Sequence, residues 1–180
     1  MQARRPPSAP IPPQEPALPY MQRMRDYYLA LGYNNPYQWA HFDSVPMQVP
    51  DKPVTASKVG LVTTAAPFKA GAGDQGPGAA YNAAAKFYRV YAGDSGRDDF
   101  LGISHVSYDR GYTSAEDINS YFPLRALREA ERLALIGKLS PRYYGLPTNR
   151  SQPTTAGQDC PELLALLQED EVDLAILVAN

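Results

Sequence analysis

Two histidines and a single cysteine are the side chains of this 180-residue chain best suited to acid–base or nucleophilic chemistry. His105 lies in the segment Gly102–Asp109, at the carboxyl end of a predicted strand, where an imidazole can take up or release a proton near neutral pH. Tyr108 and Asp109 follow closely, and Asp109 could orient the ring. A structural histidine that caps the strand end is the open alternative.

His41 and Cys160 have weaker claims to a role. His41 lies in an irregular segment with Trp39 and Asp43, where a histidine is more often structural. Cys160 stands at the predicted start of a helix, a position that lowers a thiol pKa. An inert small residue beside Pro161 fits equally well there and is favoured. Because a metal site needs three or more converging ligands, none is expected in this chain.

The loop after the first predicted strand, Lys58–Thr64, could hold an anion through hydroxyls and backbone N–H groups. Thr63 and Thr64 are therefore candidate substrate-binding residues. Arg110 is a candidate partner for a substrate carboxylate. The glycines at positions 71, 73, 76 and 78 match neither phosphate-loop spacing, so a flexible loop is favoured over a nucleotide site.

Alternating helix and strand patterns position these side chains. An amphipathic helix is predicted over Tyr20–Leu31, with Gly32 as its stop. The later predicted elements are strands at Phe87–Tyr91 and Phe100–His105, a short helical turn at Ala115–Ser120, a helix from Pro123, a loop over Ser140–Gly157, a helix over Pro161–Glu169 with Asp159 as N-cap, and a core strand over Val172–Asn180. Short apolar strands are typical of a parallel sheet covered on both faces. The predicted fold is α/β, with an open, mainly parallel sheet flanked by helices, a Rossmann-like half completed by a partner chain.

The last strand bears on function because ligands in open α/β sheets bind beyond the carboxyl ends of the strands. The chain ends with that strand, at Asn180. We therefore expect another chain to complete this side of the sheet.

Composition narrows the classes of function. A formal charge of −2 without a basic cluster argues against nucleic-acid binding. No apolar stretch approaches the length of a membrane span, and the N-terminus lacks the apolar segment of a signal peptide, so a cytoplasmic protein is predicted. Residues 1–19 contain seven prolines and are expected to form an extended or disordered arm, followed by a single α/β domain over residues 20–180.

Several short phrases, in order along the chain, carry a family likeness. They are Val59–Ala65, Gly102–Asp109, Asp117–Leu124, Leu135–Leu139 with Tyr143–Gly145, and Val172–Val178. Together they resemble the selenoprotein B-type subunit of glycine, sarcosine, betaine and D-proline reductases. The likeness covers roughly residues 20–180.

The resemblance implies reductive cleavage of a C–N bond in a small amino-acid-like substrate. Family members use a thiolate or selenolate nucleophile, often beside a pyruvoyl group in a processed subunit. Their nucleophile follows the final strand, whereas this chain ends at Asn180 and Cys160 does not match the family position. The resemblance therefore implies no cofactor within this chain, and a partner chain that carries a pyruvoyl group or a redox-active cysteine or selenocysteine.

On this hypothesis the chain is one subunit of a hetero-oligomeric enzyme, and it supplies part of the site. The expected catalytic residues are His105, Tyr108 and Asp109, the expected substrate-binding residues are Thr63, Thr64 and Arg110, and the expected processing terminus is Asn180. Cleavage of a precursor, two separate genes and truncation are all open explanations for the missing half.

A different class of function is also open. The chain could be a non-catalytic binding or scaffolding subunit that lost its catalytic half. That hypothesis predicts that the isolated chain is stable and monodisperse. The enzyme hypothesis predicts that it aggregates through an unpaired sheet edge.

Overall fold

The computed structural model of the chain describes residues 19–33, 40–46, 48–67, 89–99, 101–103, 117–147 and 151–179. The chain divides into two compact units, Met1–Val45 and Pro46–Asn180. The first unit contains helix α1, and the second contains the strands and the remaining helices. The predicted division into an arm and one domain begins among residues outside the described set and stays a prediction.

Helix α1, Tyr20–Ala30, confirms the helix predicted from the amphipathic pattern. Gly32 ends it with φ = +85°, and the Gly32 N–H donates to the Leu29 carbonyl at 3.0 Å. Only a residue without Cβ adopts this conformation freely, which is why glycine is common just past a helix end. None of the α1 residues is buried, so this helix adds nothing to a hydrophobic core.

Strand β1, Lys58–Thr63, is the centre of the main sheet and is buried at every position after the first. On one side it pairs in parallel with β7, Leu174–Val178, along its length. On the other side it pairs in parallel with β5, Lys138–Leu139, near its start and with β6, Arg142–Gly145, at its end. The short interruption between β5 and β6 therefore lies beside the middle of β1.

The outer strand β3, Tyr91–Asp94, pairs antiparallel with β6, so the main sheet is mixed. The predicted strand at Phe87–Tyr91 overlaps β3 only at its last residue, and the strand runs further along the chain. The predicted strand Phe100–His105 appears as β4, Leu101–Gly102, which pairs antiparallel with β2, Ala66–Pro67. Its placement in the main sheet is therefore wrong, whereas the α/β class is confirmed.

Two helices cover opposite faces of the main sheet. Successive β1 side chains point to alternate faces. Val59 and Leu61 pack with Leu127 of α2, Leu124–Arg132. Val62 packs with Leu163 of α4, Cys160–Glu169. Each fully buried leucine or valine contributes about 1.5–3 kcal/mol relative to an exposed one, so these two clusters hold the helices on the sheet.

The loop predicted over Ser140–Gly157 is wrong at its start, where β6 lies. Tyr143 and Tyr144 of β6 are both buried, at 3% and 0% exposure, and belong to clusters on opposite faces of the sheet. A strand buried on both faces shows no polar–apolar alternation, which is the signal that identifies most strands.

The same loop prediction is wrong at its end, because the helical segment begins before α4. Helix α3, Gln152–Thr154, passes through a π-type turn, Thr155–Asp159, into α4. Asp159 is helical, with φ = −69° and ψ = −42°, and makes no capping bond, so its predicted role as N-cap is wrong. Ser151 caps the segment instead, since its Oγ accepts from the Thr154 N–H at 3.3 Å.

Strand β7 confirms a strand near the end of the chain, but it is not the fully buried core strand that was predicted. Its residues alternate between half-buried and exposed, and the Leu177 side chain is 70% exposed. Within the described part of the chain, β7 pairs with β1 alone. Its outer side is therefore an open edge in the described residues.

Candidate functional site

The carboxyl ends of three parallel strands meet at one side of the main sheet. Thr63 lies opposite Gly145 of β6 on one side and opposite Val178 of β7 on the other. This is the side of a parallel sheet where ligands bind in α/β proteins. We call this end of the strands the carboxyl edge, as distinct from the open outer edge along β7. It comprises the segment Thr63–Ala65 with Tyr91 and the Tyr121 carbonyl.

Thr63 is fully buried, and its hydroxyl is used within the chain. Thr63 Oγ1 donates to the Tyr121 carbonyl at 2.8 Å and accepts from the Ala65 N–H at 3.0 Å. These two bonds tie the end of β1 to the residues that precede α2. The geometry gives the hydroxyl a structural task, and the predicted contact of Thr63 with substrate stays a prediction.

Backbone bonds to the neighbouring strands continue at the end of β1 as far as Thr64. The Thr64 N–H donates to the Val178 carbonyl at 3.2 Å, and the Leu146 N–H donates to the Thr63 carbonyl at 2.9 Å. Thr64 is half-buried and Ala65 is fully buried. The loop after β1 is therefore anchored to the strands on both of its sides.

Tyr91 supplies a further anchor for the same loop. Its hydroxyl donates to the Ala65 carbonyl at 2.7 Å. Burial, with the nearby Tyr143 and Asp99, raises the pKa of Tyr91 far above its usual value. The phenol therefore stays protonated at physiological pH and acts as a hydrogen-bond donor rather than as a base or nucleophile.

The second buried tyrosine, Tyr143, donates its hydroxyl hydrogen bond to a different part of the chain. Its hydroxyl donates to Asp99 Oδ2 at 2.7 Å, and its ring packs edge-to-face on Phe122 at a centroid distance of 4.7 Å. Burial and the bond to Asp99 raise the pKa of Tyr143. Tyr143 thus fixes Asp99 rather than the loop after β1.

A small cleft of about 100 Å³ lies beside Asp99. Its lining residues are Asp98, Asp99, Ile118, Phe122, Leu124 and Arg125. Asp98 Oδ2 accepts from Arg125 Nη2 at 3.0 Å, and Asp98 Oδ1 accepts from Arg128 Nη1 at 2.5 Å. These bonds lower the pKa of Asp98, so the rim of the cleft carries paired charges.

The opposite end of the parallel strands, where they begin, holds a cluster of charged residues together with a tyrosine. We call this cluster the amino edge. It comprises Arg142, Tyr144 and Asp170, together with Lys52, Lys58 and Asp173. Asp170 Oδ2 accepts from Arg142 Nε at 2.7 Å, and Asp170 Oδ1 accepts from Arg142 Nη2 at 2.9 Å. The Tyr144 hydroxyl also donates to Asp170.

Electrostatics at the amino edge follow from these contacts. Partial burial tends to raise the pKa of Asp170, but hydrogen bonds from Arg142 and Tyr144 outweigh it and lower that pKa. Burial and the bond to Asp170 raise the pKa of Tyr144 to about 12. Asp170 follows α4 directly, so this cluster joins the end of that helix to the β5–β6 region.

The structure brings some of the predicted site residues together and leaves others outside its scope. Thr63 and Thr64 lie at the carboxyl edge, as predicted. His105, Tyr108, Asp109, Arg110 and Asn180 all lie outside the described residues, so their roles stay predictions.

The two other reactive side chains are exposed. His41 lies in the first unit, and Cys160 opens α4 in the second. Across the described ranges, no group of three or more His, Cys, Asp or Glu side chains is placed to hold a metal ion. No helix in those ranges combines the length and apolar character needed to cross a bilayer.

Tyr91 is the residue of the carboxyl edge that sequence reasoning missed, and Tyr143 is its cross-strand neighbour. Both occur in the pattern Tyr-x-Gly, as Tyr91–Gly93 and Tyr143–Gly145. In an antiparallel pair, two such patterns can place each tyrosine opposite the other's glycine, and the register of β3 and β6 does so. The repeated pattern was the available signal for this pairing.

Comparison with known proteins is consistent with the likeness seen in the sequence phrases. A sequence model of the glycine/sarcosine/betaine reductase selenoprotein B family matches residues 29–180. The chain is also 30% identical over 152 residues to the glycine reductase complex component B subunit gamma of Symbiobacterium thermophilum, which covers 82% of this chain and 34% of that protein. The chain thus spans about a third of the length of this curated relative. No solved structure gives a significant match.

Proposed function

The chain belongs to the glycine/sarcosine/betaine reductase selenoprotein B family, and from this we propose that it is the N-terminal subunit of a two-chain, proteolytically processed reductase. The reaction is a thiol-, selenol- or pyruvoyl-dependent reductive cleavage of a small amino-acid-like substrate. The observation that carries the proposal is the family match, together with an anchored loop at the ligand-binding side of the sheet.

The open side of β7 supports the proposal of a partner chain. Leu177 is 70% exposed, and in the described residues β7 has no strand on its outer side. An exposed apolar edge strand is a template for pairing with another segment. The proposed occupant is polypeptide equivalent to the part of the curated relative that lies outside the match, about two thirds of its length. One further strand there would extend the carboxyl edge.

The chemistry of the described groups fits a site that receives its nucleophile from a partner. The carboxyl edge offers hydroxyl, phenol and backbone groups, and Tyr91 stays protonated because burial raises its pKa. In the proposal these groups hold the loop that positions a substrate, and none of them supplies a nucleophile. A partner chain's thiolate, selenolate or pyruvoyl group would supply the reactive centre when assembled.

The remaining roles are proposed for residues of this chain. His105 would give a proton to the substrate amine nitrogen as the C–N bond breaks, and Asp109 would orient the His105 ring. Tyr108 would stabilise developing charge, and Arg110 would bind the substrate carboxylate. Thr64, in the loop after β1, would bind the substrate.

Native mass spectrometry of the protein from its source organism tests the partner. We expect this chain in a complex with a second chain that carries a blocked, carbonyl-type N-terminus. A second chain with a free N-terminus would contradict the processing step but keep the two-chain enzyme. A lone 19.8 kDa species would contradict both.

A histidine pair in the chain tests the catalytic assignment. In the assembled complex, His105→Ala should lower amine release from glycine or sarcosine by about 10²–10⁴-fold, the usual contribution of a general acid. His41→Ala is the matched control, since His41 is exposed in the first unit and should leave turnover unchanged. Equal turnover in the two variants would remove His105 from the mechanism.

A non-catalytic scaffolding subunit is the second candidate. The internal use of the Thr63 hydroxyl favours it, because a buried, bonded hydroxyl cannot contact a substrate without breaking those bonds. This candidate predicts that the chain purifies as a stable monomer and that no partner restores reductive turnover.

A further inference from the structure

Tyr91 of β3 and Tyr143 of β6 are packed in a reciprocal arrangement across the two strands. Tyr91 lies opposite Gly145, and Gly93 lies opposite Tyr143. A Cβ added at Gly145 would be 1.8 Å from the Tyr91 ring, and one added at Gly93 would be 2.2 Å from the Tyr143 ring. Each ring therefore occupies the space above the opposing glycine, and the two rings meet edge-to-face at a centroid distance of 6.3 Å.

The two hydroxyls reach different parts of the molecule. Tyr91 donates to the Ala65 carbonyl after β1, whereas Tyr143 donates to Asp99, in the segment that follows β3. Each ring packs over the opposing glycine, and the Tyr143 ring also packs on Phe122, so the two positions differ in the hydroxyl partner and in this extra ring contact. Replacing either tyrosine with phenylalanine keeps its ring above the opposing glycine.

Ala65 is held by side chains at both of its backbone polar groups. Thr63 Oγ1 accepts from the Ala65 N–H at 3.0 Å, and the Tyr91 hydroxyl donates to the Ala65 carbonyl at 2.7 Å. Ala65 is fully buried, so neither group could turn to water if its partner were lost. A buried backbone group without a partner destabilises the fold, so the loop would move to recover a bond.

We propose that Tyr91 is a positioning residue that fixes the loop Thr63–Ala65 at the carboxyl edge, where the substrate of the reductase binds. This inference rests on the proposed function for the substrate and on the observed contacts for the loop. Tyr91 holds Thr64 in place through Ala65, without touching the substrate itself. The raised pKa of Tyr91 agrees with this role, because a phenol that stays protonated keeps donating across the physiological pH range.

Hydrogen–deuterium exchange on the full chain tests the placement of the loop. Tyr91→Phe should speed exchange of the Thr64 and Ala65 amides about tenfold, the factor that corresponds to losing one buried hydrogen bond. Tyr143→Phe, the matched control, should leave these amides unchanged, because its hydroxyl contacts Asp99. Equal exchange in the two variants overturns the proposal.

Turnover by the assembled complex tests whether this placement matters for the reaction. Tyr91→Phe should lower kcat about tenfold with KM within about twofold, since a displaced loop misaligns bound substrate. Tyr143→Phe should leave both constants within about twofold of the unmodified complex. Unchanged kcat in Tyr91→Phe despite faster exchange overturns the positioning role. Absence of turnover in the unmodified complex would contradict the proposed function instead, and the exchange comparison would still decide the placement of the loop.

Discussion

The two sides of the main sheet are held by different chemistry. At the amino edge, Arg142 and Asp170 form a two-point ion pair, and Lys52 pairs with Asp173 at 2.6 Å. At the carboxyl edge, the bonds that fix the loop come from the uncharged hydroxyls of Thr63 and Tyr91. The strands are the same, but one end is fixed by charges and the other by neutral donors.

In the proposed function, this difference separates the charged contacts that stabilise the sheet from the loop beside which the substrate binds. Neutral hydroxyls anchor a loop without adding a field of their own, so they leave a substrate carboxylate free to pair with the proposed Arg110. The charges at the amino edge lie where α4 returns to β7, a place that needs a rigid turn and binds nothing in the proposed function. The function proposed above places the reaction at the other end of the sheet, where hydroxyls hold the loop Thr63–Ala65.

Glycine substitutions should have the largest effects and should differ between the two edges. A Cβ at Gly137 would lie 2.6–2.8 Å from the backbone of Ala56 and Ser57, which cannot move separately from β1. We expect Gly137→Ala to cost more than about 3 kcal/mol of unfolding free energy. The three atoms nearest to a Cβ at Gly145 belong to the Tyr91 side chain, which can shift at the expense of its bond to Ala65, so Gly145→Ala should cost less, about 2 kcal/mol.

Urea unfolding followed by circular dichroism measures both glycine variants. Gly157→Ala is the control, because it lies in the helical segment with nothing within 4 Å of its added Cβ. There the change should be neutral or stabilising by about 1 kcal/mol. A larger loss in Gly145→Ala than in Gly137→Ala would show that the carboxyl edge is the more rigid of the two.

Asp170→Asn should produce the next largest effect, at the amino edge. The Asp170 side chain is 10% exposed and bonds both Arg142 and Tyr144, so its loss leaves a half-buried guanidinium with a weaker partner. We expect a cost of about 2–4 kcal/mol by urea unfolding at pH 7. Glu169→Gln is the control, since Glu169 contacts the same Arg142 at 2.9 Å but is 66% exposed, and should cost less than about 1 kcal/mol.

The pH dependence of that difference follows from the lowered pKa of Asp170. A carboxyl with a lower pKa in the folded state stabilises the fold above its unfolded pKa of about 4. This stabilisation is lost as the pH falls through the folded pKa. The gap between the parent chain and Asp170→Asn should thus be constant from pH 7 to 5 and shrink below pH 4. A gap that grows in acid would contradict the ion-pair account.

Periodicity predicts the elements whose apolar residues recur at regular spacing or form a continuous run. The pattern of α1 and the stop at Gly32, the apolar run of β1 and the helix over Pro161–Glu169 all follow from spacing alone. Each of these depends on neighbours in sequence, which a single chain displays directly.

Contacts between distant segments could not be obtained in this way. The sequence predicts a loop at β6, because Tyr143 and Tyr144 face opposite clusters and show no polar–apolar alternation. The pairing of Tyr91 with Gly145 joins residues far apart in the chain. The N-cap prediction at Asp159 fails because a π-type turn extends the helical segment back to Ser151. The placement of Thr63 and Thr64 at a carboxyl edge was predictable, since it requires only that β1 be a parallel strand.

Lys52→Ala should have the smallest effect and sharpens the contrast within the amino edge itself. The Lys52 amino group pairs with Asp173 at 2.6 Å, but its side chain is 47% exposed, so water and salt replace most of the attraction. Asp173 also accepts the Lys58 backbone N–H at 2.7 Å, at the first residue of β1.

Asp173→Ala removes this second bond as well and should lower the urea midpoint clearly more than Lys52→Ala. The small shift in Lys52→Ala should vanish in 0.5 M salt, roughly where screening reaches a few ångströms, while that of Asp173→Ala should persist. Equal shifts that both vanish in salt would mean that the amino edge is held by surface charge alone, and not by the bond that begins β1.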